Sequence, residues 1–293
     1  FLARAFADAI AANPQITMIA GTSVEAQDPD PAGVTVTLST GQTLAARVLV
    51  GADGRRSGVA ERAGISRTGW GYGQTALVCA LDHELPHNGV AQQVFLPNGP
   101  LAILPLPGNR CSIVWSETDA NARTLAALDD ADFLAILRPR FGEHLGAIAL
   151  AGQRFSYPLN LTLANAYTAP RVALVGDAAH GVHPIAGQGL NLGLRDVAVL
   201  AEVLVEAARR GEDIGAVDVL ARYQGWRRFD STSLALGMDA VNRLFSNDNP
   251  LLRAGRDIGM GLVQAAPALR RAFMRQAAGL TSAPPRLLAG LPL

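Results

Sequence analysis

The sequence predicts a mixed α/β (α+β) chain, and three observations carry that prediction. Two short apolar runs, Arg47-Val48-Leu49-Val50 and Val172-Ala173-Leu174-Val175, stop at Gly51-Ala52-Asp53 and at Gly176-Asp177. Runs of that length, bounded by turn residues, suit strands buried on both faces of a sheet. Between them, residues 67–165 alternate apolar and polar side chains, the period of an antiparallel sheet. After Leu190 the period lengthens to steps of three and four, so the last third is mainly helical.

Composition narrows the class. With 293 residues, 49% of them hydrophobic and 17% charged, the chain can bury a large core, has room for two domains and is not disordered. No apolar run approaches the roughly 18 residues of a membrane-spanning helix. Twenty-five basic and 25 acidic residues balance, which gives no support to a nucleic-acid partner. Every basic residue is Arg, and from Ala216 onward ten Arg face five Asp and no Glu, so the tail is basic. Cys79 and Cys111 stand alone, without metal or redox spacing, as small buried hydrophobes in a reducing cytoplasm.

In chain order, Leu2, Phe6 and Ile10 set a helix over residues 1–12 that Asn13-Pro14 stops. Ile16–Ala20 reads as a strand, and the turn Gly21-Thr22-Ser23 leads into Val24. Val34–Leu38 and Thr43–Ala45 flank Thr40-Gly41-Gln42 as a hairpin. Successive antiparallel strands are expected at 74–81, 91–96, 101–106 and 112–116. A helix around Phe133, Leu134 and Leu137 closes at Arg140-Phe141-Gly142, and a strand at 154–159 follows. Pro100 and Pro105 bracket an apolar strand, either as edge protection or as the lining of a pocket. After Leu190 a helical pattern takes over, with Leu190, Leu194, Val197, Ala201, Leu204 and Ala208 recurring at steps of four and three.

The stretch from Arg171 to Glu202 carries the chemistry. Asp177 stands where a buried strand leaves its sheet, its carboxylate available to a ligand hydroxyl. Pro184, Gly187 and Gly189 delay the helix and let backbone approach a ligand closely. The first amides of that helix then point at the loop, a setting for negative charge. His180 and His183 lack a third ligand for a metal, and His180 reads as a residue that fixes the loop by hydrogen bonding. No nucleophile triad stands out.

Gly176-Asp177-Ala178-Ala179-His180, followed by His183-Pro184-Ile185-Ala186-Gly187-Gln188-Gly189-Leu190-Asn191-Leu192-Gly193 and Asp196, resembles the second flavin-binding motif of FAD-dependent aromatic-ring hydroxylases, in the form found in the ubiquinone-biosynthesis branch. Gly51-Ala52-Asp53-Gly54-Arg55-Arg56-Ser57 resembles the middle motif of that family, and Gly99–Leu106 its cover sheet. Arg227-Arg228-Phe229-Asp230, Asn242–Asp248 and Phe273-Met274-Arg275 extend the likeness along the whole chain. The resemblance implies a Rossmann-like FAD-binding domain, incomplete here, over 1–66 and 166–215. It further implies an antiparallel-sheet substrate domain over 67–165 and a helical region over 216–293. It implies that Asp177 binds the flavin ribitol, and that Pro184, Ala186, Gly187, Gln188, Gly189, Leu190 and Asn191 lie along the ring. Asp53 and Gly54 would stand near the pyrophosphate and the reduced pyridine nucleotide, and Val24 near the adenine. The family's Arg three residues after the motif Ser is Ala60 here, with Arg62 or the pair Arg55-Arg56 as substitutes.

The activity so implied is oxygen transfer from molecular oxygen to a polyprenylated phenol. NAD(P)H or another donor supplies the electrons, and no single acid or base is indispensable. A related flavin hydroxylase or reductase acting on another aromatic or lipid, and a non-catalytic scaffold in a quinone-biosynthesis complex, are the other readings. Leu251, Leu252, Ile258, Met260, Leu262 and Val263 interleave with Arg253 and Arg256 as a basic amphipathic helix. That pattern reads equally as a helix on an anionic membrane surface or as core packing with a solvated Arg face. A cytoplasmic protein, peripheral on the inner membrane, fits a polyprenylated substrate. The family's Gly-x-Gly-x-x-Gly unit has no counterpart in these 293 residues, since Gly69, Gly71 and Gly73 open no helix. The 293 residues alone are therefore expected to lose FAD on purification, and a stoichiometric flavin spectrum in such a sample would contradict this.

Overall fold

The structure, a computed structural model, describes residues 2–184, 187–246, 261, 263, 265–277 and 284–293. The opening helix α1 (Leu2–Ala12) leads through an extended segment to the hairpin sheet β1 (Val24–Pro29), β2 (Val34–Leu38) and β3 (Thr43–Ala46), paired in that order. Val34, Val36 and Leu38 alternate inward to make its small core. Residues 16–20, expected as a strand, are not one: they pair with nothing among the described residues, and Ile16, Met18 and Ile19 lie exposed. Apolar β-branched composition is not enough when no neighbouring strand offers a hydrogen-bond ladder.

The first buried run becomes β4 (Leu49–Gly51), and the helix α2 (Gly58–Arg62) follows, its N-cap Ser57 accepting from Ala60 N. The alternating stretch becomes β5 (Arg67–His83), β6 (Gln92–Leu96), β7 (Gly99–Leu106) and β8 (Arg110–Thr118), with α3 (Asp119–Ala127), α4 (Asp130–Phe141), β9 (Ile148–Leu150) and β10 (Phe155–Ala164) after them. The last strands are β11 (Thr168–Ala169), β12 (Val172–Leu174) and β13 (His180–Gly181). Together β13-β10-β5-β8-β7-β6 form one antiparallel sheet, with β9 on the far end of β5. Gly69 lies inside β5 because a Cβ there would stand 2.2 Å from the Leu161 carbonyl of β10. Helices α3 and α4 cover one face of this sheet. Asp129 caps α4 through Asp132 N, and Gly142, at φ 84°, ends it. Trp115, Phe133, Leu137, Phe141 and Leu81 fill the space beneath them, beside Cys79 and Cys111. Burial pushes the Cys79 thiol up to about 12 and the Cys111 thiol up to about 11, so both are inert packing residues.

A third sheet, β11-β12-β4, joins the two ends of the chain: β12 runs parallel to β4, pairing Val172 with Leu49 and Leu174 with Gly51. Helices α5 (Gly189–Arg209) and α6 (Val217–Phe245) pack on it, and α7 (Pro267–Ala277) and a 3-10 turn at Arg286–Ala289 follow. The helix expected after Leu190 is present as α5, and most of its buried face lies beside the stripe that marks it in the sequence. Leu192, Val199, Leu200, Val203 and Ala207 are buried, whereas Leu190 and Val197 are more than half exposed. Because α5 is apolar around most of its circumference, periodicity alone supports two faces equally. Asn247, Asp248, Leu251–Met260 and Leu262, including the basic amphipathic run, lie outside the described residues.

Phe133 is 1% exposed and stacks against Trp115 at 6.0 Å between ring centres. Truncation of Phe133 to Ala should destabilise the fold by about 3–5 kcal/mol, read as a lower urea midpoint at unchanged slope.

Candidate functional site

The site begins where β12 ends. Gly176 adopts φ +60°, a left-handed turn open chiefly to glycine, and residues 176–178 make a single 3-10 turn. The first turns of α5 sit directly over it: a Cβ on Gly193 would come within 3.3 Å of the Gly176 Cα. One helical turn later, the fully buried Asp196 receives three donors. Gly176 N donates to its Oδ2 at 2.9 Å, His180 Nε2 lies 2.6 Å from the same oxygen, and Arg227 Nε donates to Oδ1 at 2.8 Å. Arg227, on α6, also donates to Asp230 Oδ2 at 2.6 Å and Ser231 Oγ at 2.9 Å. Tyr223 OH, one turn before Arg227, donates to the Leu174 carbonyl at 2.6 Å. The buried ends of β12, α5 and α6 are thus tied to one carboxylate.

Asp177 points the other way and is 41% exposed. Its Oδ2 accepts from Arg55 Nε at 3.0 Å. Arg55 follows Gly54, whose φ is +79°, and its remaining N–H groups go to Asn160 Oδ1 at 2.8 Å and the Val182 carbonyl at 2.8 Å. Asn160 stands at a bulge where β10 slips register against β5, which re-aims its side chain. Asp53 accepts from Val59 N at 3.0 Å, so one of its oxygens holds the start of α2. Arg62 turns to Gln27 Oε1 at 3.3 Å and Arg56 is exposed, so of the three arginines only Arg55 reaches the Asp177 turn. Val24 opens β1 and packs, half-buried, on Val34, Val36 and Leu38.

The glycine loop lies beside Asp177. Pro184 is exposed, Ala186 lies outside the described residues, and Gly187 has φ +61° with open space where a Cβ would project. Helix α5 starts at Gly189, and its N-cap Gln188 makes no side-chain capping bond to the helix amides; Gln188 Oε1 accepts from Asn191 Nδ2 at 3.4 Å. Leu190 and Asn191 are exposed there. A small cavity separates this loop from the antiparallel sheet, lined by Pro100, Ala102, Val114 and Ser116 on one side and His183 and Pro184 on the other. Pro100 is therefore pocket lining. Strand β7 is flanked by both β6 and β8, and so is not an edge.

Behind the loop, His183 is 1% exposed and meets the Tyr72 ring edge-on at 5.0 Å. Asp239 of α6 accepts from Trp70 Nε1 at 3.0 Å and pairs with Arg243 at 2.9 Å. Burial, then the nearby Arg55 charge, pulls the His183 imidazole down to about 4, so it is neutral at physiological pH. Burial and the Asp239 carboxylate push the Tyr72 hydroxyl upward. Among the described residues no three His, Cys, Asp or Glu side chains converge as metal ligands.

An acidic turn, a glycine loop and a helix start, set between a parallel strand pair and an antiparallel cover sheet, define the class: this is the architecture of flavin-dependent monooxygenases. The FAD binding domain family model matches residues 2–228. The chain is 52% identical to the ubiquinone hydroxylase UbiL of Rhodospirillum rubrum over 96% of its own length and 66% of that protein's. It is 37% identical to the 3-demethoxyubiquinol 3-hydroxylase of Escherichia coli, over 95% and 71%. The crystal structure of PqsL, a probable FAD-dependent monooxygenase of Pseudomonas aeruginosa, superposes with a TM-score of 0.72 at 27% identity, over 87% of this chain and 71% of that one. The chain belongs to the FAD binding domain family, in its branch of ubiquinone-biosynthesis hydroxylases. It spans 57–71% of the length of its curated relatives.

Sequence reasoning missed Asn160 and the bracing role of Arg227. Both act across more than 30 residues of chain, and no local spacing marks them.

The His183 shift has a pH signature. Between pH 6.5 and about 4 the unfolded chain takes up a proton that the folded imidazole refuses. Stability should therefore fall with pH across that window, by up to about 1.4 kcal/mol per pH unit from this group. Urea titrations at stepped pH should show a slope about one proton shallower in His183→Gln.

Proposed function

We propose that the complete gene product is an FAD-dependent monooxygenase that hydroxylates the aromatic ring of a polyprenylated phenol in ubiquinone biosynthesis. The observation that carries this reading is the Asp177 turn. Its carboxylate stands at the exit of a buried strand, one oxygen held by Arg55, the other with no hydrogen bond to the described residues, and the side chain 41% exposed. A fixed acceptor of that kind suits a polyol hydroxyl, and the flavin ribitol is one. The groups around it fit the rest of the cofactor: open space at Gly187 and Gly54 admits close backbone approach. The α5 amides at Gly189–Asn191 face a site for negative charge, an effect of about 0.3–1 kcal/mol, larger when partly buried.

FAD, when bound, supplies the redox chemistry and the activation of oxygen. The chain's own residues bind and orient. Asp177, held by Arg55, would receive the ribitol, and residues 187–191 would line the ring. Pro100, Ala102 and Val114 of the antiparallel sheet face the Pro184 side of the loop, an apolar surface that would help exclude water from the reacting atoms. His183 stays neutral there, so it does not set a competing positive charge beside the phenol. NAD(P)H or another donor would provide the electrons.

Contact with the inner membrane from the cytoplasmic side, and with other members of a quinone-biosynthesis complex, belongs to the same reading. Its support is the outer stripe of α6, where Trp226, Phe229, Leu236 and Leu244 lie exposed beside Arg222, Arg228 and Arg243. Side chains of that kind suit a helix lying at a lipid surface. No helix of the described residues is long and apolar enough to cross a membrane.

Two measurements test the proposal. Cells lacking the gene should accumulate a ubiquinone precursor short of one ring hydroxyl, and an unchanged quinone profile would refute the activity. In the complete gene product, Asp177→Ala should weaken FAD binding roughly ten- to a hundredfold, as expected for one charge-assisted hydrogen bond of about 1.5–3 kcal/mol. Unchanged affinity would remove the ribitol role.

A further inference from the structure

We infer that Arg55 is a cofactor-positioning residue: it acts through Asp177, so that the flavin ribitol is received by the Arg55–Asp177 pair rather than by the carboxylate alone. The inference rests on the reading of Asp177 given above and goes beyond it, because it gives Arg55 a task directed at Asp177 rather than at a cofactor phosphate.

The geometry is specific. The Arg55 guanidinium reaches acceptors from three separate elements: Asp177 after β12, Asn160 in the β10 bulge and Val182 before the glycine loop. A planar fork with this many partners has its position over-determined, which a flexible ammonium would not. Its path is also built in. The aliphatic stem runs over Gly181, where a Cβ would come within 3.1 Å of Arg55 Nε and 3.2 Å of Cδ and Cγ. Arg67 then holds the Arg55 backbone carbonyl from below. The pair divides the carboxylate between two tasks. Oδ2 is taken by Arg55, which fixes the rotation of the group, and the 41% exposure of the side chain leaves the carboxylate accessible to a ligand hydroxyl. Without Arg55 the carboxylate of Asp177 is free to rotate and solvate, and any hydroxyl it accepts must first order it. The same contact joins the Gly51–Ser57 motif to the Gly176–Gly193 motif. Two stretches about 120 residues apart in sequence therefore meet at this ion pair and at the Arg55 bond to the Val182 carbonyl.

A purely architectural Arg55 would affect FAD binding whatever stands at position 177. A residue that works through Asp177 would not, and a double-mutant cycle separates the two. FAD affinity is measured by titrating the apoprotein of the complete gene product, for Arg55→Gln, Asp177→Asn and the double variant. Arg55→Gln should weaken FAD about fivefold or more in the wild-type background and less than twofold in the Asp177→Asn background. Arg55→Lys, which keeps the charge, should recover part of the loss. Equal losses in both backgrounds, or no loss from Arg55→Gln, would overturn the inference while leaving Asp177 in place. No loss from Asp177→Asn would overturn the ribitol reading itself. If Arg55→Gln fails to fold, Gly181→Ala serves as the second variant, since it crowds the stem but leaves both side chains present. It should weaken FAD in the wild-type background only, and equal effects in both backgrounds would again refute the role.

Discussion

The buried carboxylate of Asp196 is the point on which the rest of the site depends. It has no solvent, and its charge is met by three donors: a backbone amide, an imidazole and a guanidinium. Such a group is stable only while all its partners are present, and removal of one from a buried charged cluster typically costs about 3–5 kcal/mol. The amide belongs to Gly176, so the cluster holds the backbone of the very turn that projects Asp177. The guanidinium belongs to α6, so a helix far along the chain is needed to keep that turn in place. The site is therefore not a loop decorating a finished scaffold.

Around this hub, the polar groups sort into an inner and an outer set. Asp196, His180, Arg227 and Ser231 face inward and bond to one another. Arg55, Asp177 and Asn160 form the outer set, part-buried and joined through the Arg55 guanidinium. The boundary runs along Gly176 and Gly193, two glycines packed Cα to Cα, where any side chain would push strand and helix apart. The antiparallel sheet then closes the far side, and Pro100 and Ser116 of β7 and β8 stand opposite the glycine loop. Each part has an ordinary structural cause, and the cleft follows from where those causes leave a gap.

Two local patterns left their outcome to the fold. The stripe on α5 named from periodicity faces outward because the helix is apolar on two sides, and the buried polar Asp196 lies on the other. Residues 16–20 have strand composition but no ladder partner. In each case the local pattern was real, and a longer-range contact chose among its outcomes.

What the sequence by itself determined is the set of pieces: buried runs ending at Asp53 and Asp177, the glycine loop at 187–189, the alternating strands of the cover sheet, and the resemblance that ties them to flavin chemistry. Those features are local, written in turn residues and in periods of two or 3.6, and so can be read along the chain. Only the tertiary structure decided that Arg55 rather than Arg56 or Arg62 meets Asp177, that Arg227 braces the turn through Asp196, and that Asn160 joins them from a bulge. These contacts close loops of 20 to more than 100 residues, and the packing of strands and helices sets them, which no spacing in the chain records.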